Sequence, residues 1–268
     1  MKSKLLLAAA LCGILFSCSS DDSSSDNPTP DTNFTISLIT GKYWTYDVED
    51  SNANQFRDSL YISGDTLING ITHKKFKVKD DVAAGFYSSS LRNNGVRESD
   101  NKLLLSGDLS LGMGEQLPIA LDLTLSNFVI FKKNAAVNEQ LSSKTGVIEQ
   151  EFSGYPIKIN YTLKSFGGET ISNFTSPNND VYTNVRTSKI VLRASITTEQ
   201  SVGGFPITVT IMPEQDVLIS RQYIADEIGV AYVKTEMQYQ LASLPPTIPI
   251  PFPDSGSQTQ EEFLDTYN

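Results

Sequence analysis

The chain has 268 residues, with 31 acidic against 21 basic side chains, a formal charge of −10 and 2 cysteines. An acidic balance of that size provides no field to gather nucleic acid or anionic headgroups, so neither is an expected partner. So few cysteines leave no disulfide framework and no cysteine-bound metal to hold the fold, which must then rest on a hydrophobic core.

Lys2 and Lys4 precede an apolar run from Leu5 to Phe16, too short for a membrane-spanning helix, which needs about 20 residues. A charged start, a short apolar run and a small residue before the break read as a secretory signal over residues 1–17. Leu15-Phe16-Ser17-Cys18 follows, and it resembles the lipobox of bacterial lipoproteins. That resemblance implies a diacylglyceryl group on the Cys18 thiol, cleavage before Cys18 and acylation of the new amino terminus with a palmitate-type chain. Ser19-Ser20-Asp21-Asp22 resembles the export signal that sends lipoproteins of Bacteroidetes-type bacteria to the cell surface. The expected location is therefore the outer membrane, lipid-anchored and facing the cell surface, with the periplasmic face as the alternative. Several acyl chains at about 0.8 kcal/mol per buried methylene make such an anchor nearly permanent. Cleavage removes Cys12 and two lysines, which leaves 19 basic residues (21 less two) against 31 acidic ones.

Residues 18–33 carry the lipidated cysteine and a tether. Ser19 to Thr32 is Ser, Asp, Asn, Pro and Thr throughout and cannot bury enough surface to offset its ordering entropy. Its random-coil reach is about 20 Å.

Residues 34–243 read as one β-rich domain of period two. Trp44, Tyr46 and Val48 share a face only on a strand. Ser59 to Ser63 and Leu67 to Val78 are β-rich runs, and Asn69-Gly70 is a type I′ hairpin signal; Asn94-Gly95 and Asp100-Asn101 punctuate the next stretch in the same way. A weak repeat of the form Φ-Pro-Ile-x-Φ-x-Φ, with Φ apolar, begins at Leu117, Tyr155 and Phe205. Gly154 and Gly204 precede two of these copies. Each of those two units reads as strand, Gly-aromatic-Pro turn, strand, with proline where its missing N–H costs least. Unequal spacing rules out a solenoid and favours duplicated hairpins. Asp216 to Tyr223 and Val230 to Leu241 form a further pair around Asp226-Glu227-Ile228-Gly229. Residues 244–268, with five prolines before a polar end, read as an extended tail, in which Gln260 to Tyr267 is the only candidate for a short helix. The expected fold is all-β: an antiparallel sheet, sandwich or strongly curved half-barrel built from hairpins. A membrane-spanning barrel is disfavoured, because no lipid-facing girdle is visible.

Chemistry is sparse, so no enzymatic activity, cofactor or metal is expected. His73, the single histidine, shares alternation with Lys75 and Lys77 and is expected on an exposed face, without the buried carboxylate a nucleophilic triad needs. Asp50-x-Asn52-x-Asn54 imitates the start of a calcium loop but lacks its glycine and its bidentate glutamate, so it reads as a polar turn. Adjacent acids at Asp80-Asp81 and Asp21-Asp22 point to opposite faces of an extended chain and cannot converge on one proton. Trp44, Tyr46, Tyr155 and Phe205 are the candidate ligand-binding residues, although for the first two a place in the core is the preferred reading. The lines Ile119/Leu121/Leu123/Leu125 and Ile157/Ile159/Tyr161/Leu163 either wall a lipid-sized cavity or fill it. The architecture resembles the half-barrel carriers of lipids and lipoproteins in bacterial envelopes, which implies an apolar ligand within the curved sheet. The alternative is a surface module for a protein or glycan. A cavity of at least a few hundred Å³ separates the two.

Overall fold

Alternation along each segment sets the sheet. Trp44, Tyr46 and Val48 on β1 (Tyr43–Asp50), Leu121, Leu123 and Leu125 on β6 (Leu121–Lys132), and Ile157, Ile159, Tyr161 and Leu163 on β8 (Tyr155–Thr175) are all buried, while the residues between them are more open. Such period-two burial is satisfied only by strands with one face against a core. The computed structural model describes residues 34–111, 121–152, 154–202, 204–244 and 253–268. The signal segment, Cys18, Asp21-Asp22 and the first Φ-Pro-Ile turn lie outside the described residues.

The other strands are β2 (Gln55–Ile68), β3 (Ile71–Val78), β4 (Gly95–Ser99), β5 (Lys102–Leu111), β7 (Gln140–Phe152), β9 (Val181–Val202), β10 (Phe205–Ala225), β11 (Gly229–Gln240) and β12 (Ser255–Tyr267). One short helix, α1 (Phe86–Leu91), lies between β3 and β4. The strands form a 12-stranded antiparallel sheet in the order β6-β5-β4-β3-β2-β1-β12-β11-β10-β9-β8-β7. The sheet curls into a nearly closed barrel. Its edges meet without a ladder: β6 lies against β7, β8 and β9, with Ser188 Oγ donating to the Ile130 carbonyl at 2.8 Å, Ser165 Oγ to Val129 and the Arg186 guanidinium to Lys133.

Strand directions sort the connections to two ends. At the near end lie the 69–70, 100–101, 133–139, 176–180 and 226–228 turns, together with the entering chain and the carboxy terminus. At the far end lie the 51–54 and 79–94 connections and the tips of the β7–β8 and β9–β10 hairpins. Asn69 and Gly70, with φ of 50° and 76°, make the expected tight turn. Phe34 closes the near end, its ring 5.7 Å from Phe131 and under the Arg186 guanidinium at 4.4 Å.

Four expectations are corrected. Residues 255–267 are not a tail: β12 pairs with β1 on one side and β11 on the other, in the middle of the sheet. Its inward positions include Gln260 and Glu262, so no apolar alternation marks it as a strand. Asn94-Gly95 is not a hairpin turn, since it joins α1 to β4. His73 is not exposed. It is 2% accessible, with Nδ1 2.9 Å from the Ile71 carbonyl and no partner for Nε2 among the described residues. Gly95 explains the burial, because a Cβ there would stand 2.7 Å from Ile68 Cδ1 and 2.8 Å from His73 Cβ. Only a glycine lets β4 come close enough to seal the ring. Finally, Trp44 and Tyr46 are core anchors rather than a ligand platform: Trp44 Nε1 donates to the Ile228 carbonyl at 2.7 Å and Tyr46 Oη to the Val230 carbonyl at 2.8 Å.

The outer wall carries ion pairs beside one aromatic cluster of Phe174, Tyr223, Tyr232 and Phe263. Arg57 pairs with Asp47 and Asp265, Arg193 with Asp216 at 2.7 Å and Arg221 with Glu236 at 2.7 Å. Charges so placed suit contact with water rather than with lipid tails.

Candidate functional site

Helix α1 enters the barrel from the far end and is held there by polar side chains. A six-residue helix leaves most of its first N–H groups without helical partners, and inside an apolar barrel each must find one. Asp58 on β2 accepts from the amides of Ala84 (2.9 Å) and Gly85 (2.8 Å). Gln260 on β12 accepts from Phe86 N–H at 2.7 Å and donates to the Ala84 carbonyl at 2.9 Å. Glu262, two residues on and so on the same face, accepts from Tyr87 N–H at 2.7 Å and from Ser88 N–H and Oγ at 3.3 Å.

Both carboxyl groups are buried, Asp58 at 2% and Glu262 at 1% exposure. Burial pushes Glu262 up to about 7, the nearby Asp58 charge adds to the rise, and the bonds from Tyr87 and Ser88 oppose it. The Tyr87 phenol is raised as well, by burial first and then by Glu262. This cluster serves the fold, since its acceptors are taken up by α1 and the two residues before it.

With α1 in place the interior is filled. Phe86, Tyr87 and Leu91 pack among Leu105, Leu125, Phe128, Leu163 and Ile190. Two voids flank α1 among the described residues, of about 30 Å³ beside Trp44 and Phe76 and about 10 Å³ beside Leu105 and Leu163. These hold a water molecule or two. The apolar lines on β6 and β8 therefore fill the barrel; Ile119 lies outside the described residues.

Apolar side chains are exposed at both ends of the barrel, among them Leu67, Val137 and Val181 at the near end. The long hairpins β7–β8 and β9–β10 carry their tips at the far end, with Phe205 75%, Val147 51% and Ile207 45% exposed. Ladder irregularities in β10 around Met212 and Asp216 bend the sheet below these tips. A groove of about 580 Å³ runs across the four strands, lined by Glu149, Glu151, Pro156, Lys158, Glu199 and Thr208 among others. Lys158 stands 3.7 Å from Glu149, and no ion pair of Glu151 or Glu199 occurs among the described residues.

Of the four candidate residues, Tyr155 and Phe205 thus share the far end, at equivalent positions of two hairpins, while Trp44 and Tyr46 lie in the core. Sequence reasoning missed Asp58, Gln260, Glu262 and α1. The usable signal was Gly85 followed by aromatic and serine residues just after a strand, which reads as a break in the meander. Asp50-x-Asn52-x-Asn54 is a polar turn, with Asp50 Oδ1 accepting from Asn52 and Asn54 N–H at 2.9 Å each. Comparison with protein-family models, curated proteins and solved structures finds no match to this chain.

Proposed function

We propose that the chain is a lipoprotein of the outer membrane, anchored through lipid on Cys18 and facing the cell surface, whose body is a non-enzymatic interaction module. The module presents the far end of its barrel to a protein or glycan. The observation that carries this reading is the filled interior: voids of about 30 and 10 Å³ are far below the few hundred Å³ that a lipid carrier needs. A second observation supports the orientation. The chain enters at the near end, at Phe34, so a tether from Cys18 attaches there and leaves the far end, with the half-buried Tyr155 and the exposed Phe205, away from the attachment.

Native mass spectrometry of the intact mature protein, compared with its denatured mass, tests the reading. The expected result is one mass in both states. An excess of a few hundred daltons that extracts into organic solvent returns the apolar-carrier reading, with α1 as a displaceable filler. Cys18→Ala tests the anchor: the protein is expected to leave the membrane fraction, and full retention there overturns that part.

A further inference from the structure

The two edges of the sheet end differently. β6 lies beside β7 as well as β8 and β9, and the carbonyls of Val129 and Ile130 on β6 and of Lys133 just after it take donors from Ser165, Ser188 and Arg186. The closing strand is thus bonded to the second and third strands from the opposite edge and packs beside β7 without forming a ladder with it. β7 pairs with β8 from Gln140↔Phe166 to Phe152↔Tyr155, and among the described residues no strand pairs with its other side. An edge of this kind offers alternating N–H and C=O groups as a template for another chain.

The usual protections are weak along β7. It contains no proline, its pairing is regular from Ser142 to Phe152, and its one lysine, Lys144, shares the face of Leu163 instead of guarding the outside. What the edge carries outward near its tip is acidic. Glu149 and Glu151 share the outer face with the exposed Val147, Glu199 stands in the same groove, and Lys158, 3.7 Å from Glu149, offsets only one of these three charges. Inward, Ile148 is partly buried against the core and would extend its apolar row to a neighbour.

We infer that the free edge of β7 accepts an extended basic segment of another protein as an added strand. Its lysine or arginine side chains lie on the outer face near Glu149 and Glu151, and its apolar side chains lie on the inner face beside Ile148. Charge selects this occupant over a second copy of the chain. Self-pairing at the tip brings two sets of Glu149 and Glu151 together, and like charges across a ladder are destabilising. The inference rests on the interaction-module reading and adds the site and the chemistry of the partner.

The test uses the full mature protein in detergent micelles and a synthetic peptide of alternating lysine and valine, long enough to span Gln140–Phe152. A matching glutamate–valine peptide is the control. Hydrogen exchange is read across the chain. The lysine peptide is expected to slow exchange over residues 142–152 by at least about tenfold, and the control to leave it unchanged. Two further peptides carry N-methyl groups on alternate residues, one for each register. Strand addition demands that one bind and the other fail, because only one set of N–H groups faces β7. Glu149→Gln with Glu151→Gln is expected to weaken binding at least about fivefold and to flatten its dependence on salt.

Equal binding of both methylated peptides overturns the inference, as does protection that appears only elsewhere. Protection of 142–152 without peptide, rising with protein concentration, overturns it in favour of a second copy. A bare native mass with no β7 protection defeats this inference alone, whereas a lipid-loaded interior defeats the functional reading beneath it.

Discussion

Glu262→Gln isolates the most perturbed carboxyl group among the described residues. In the native barrel the carboxyl rises from its ordinary value of 4.5 to about 7, chiefly through burial. Below about pH 4.5 Glu262 is protonated in both the folded and unfolded chain, and its contribution to stability is fully present. Between there and about pH 7 the unfolded chain ionises first, so stability falls as pH rises, and above that range the contribution is gone. At about 1.4 kcal/mol per unit the full swing is about 3 kcal/mol. Glutamine keeps an acceptor for Tyr87 N–H, bonded to Glu262 at 2.7 Å, and cannot ionise. Urea unfolding of wild type and variant at pH 5 and pH 8 gives a double difference in which Asp58 and the surface ion pairs largely cancel. The variant is expected to gain on wild type by about 2 to 3 kcal/mol between the two pH values. A double difference near zero refutes the argument, since it means that water reaches the α1 cluster or that the carboxyl is not desolvated.

Three further outcomes follow from the same structure. Ending the chain after Asp254 removes β12 from between β1 and β11 and is expected to abolish cooperative unfolding, seen by near-ultraviolet circular dichroism, where a dispensable tail leaves it intact. Phe34→Ala removes the ring that packs between Phe131 and Arg186 and is expected to cost about 3 to 5 kcal/mol in denaturant unfolding. Ser188→Ala takes away the donor to the Ile130 carbonyl at 2.8 Å; it is expected to cost about 1 to 3 kcal/mol and to speed hydrogen exchange along β6, while β1 and β2 keep their protection.

The strand character of β1, β6, β8 and most of β11 was legible in the sequence because their inward residues are apolar and alternate with polar ones. Period two is a local property, so local pattern suffices to read it. The Asn69-Gly70 turn was legible for the same reason, since both residues accept positive φ. Tyr155 and Phe205 could be placed at hairpin turns, though not at a common end of a barrel, because that depends on strand order and direction. β12 was hidden because Gln260 and Glu262 face inward to meet α1, and polar residues on a core face erase the alternation that marks a strand. His73 was misplaced because its burial is decided by Gly95 and Ile68, neighbours that only pairing brings near. Whether the curved sheet holds a cavity was likewise undecided by pattern: the same apolar lines wall an empty barrel or a full one. The tertiary structure decides it by turning α1 inward, where Asp58, Gln260 and Glu262 satisfy the amides that would otherwise keep a helix end out of an apolar interior.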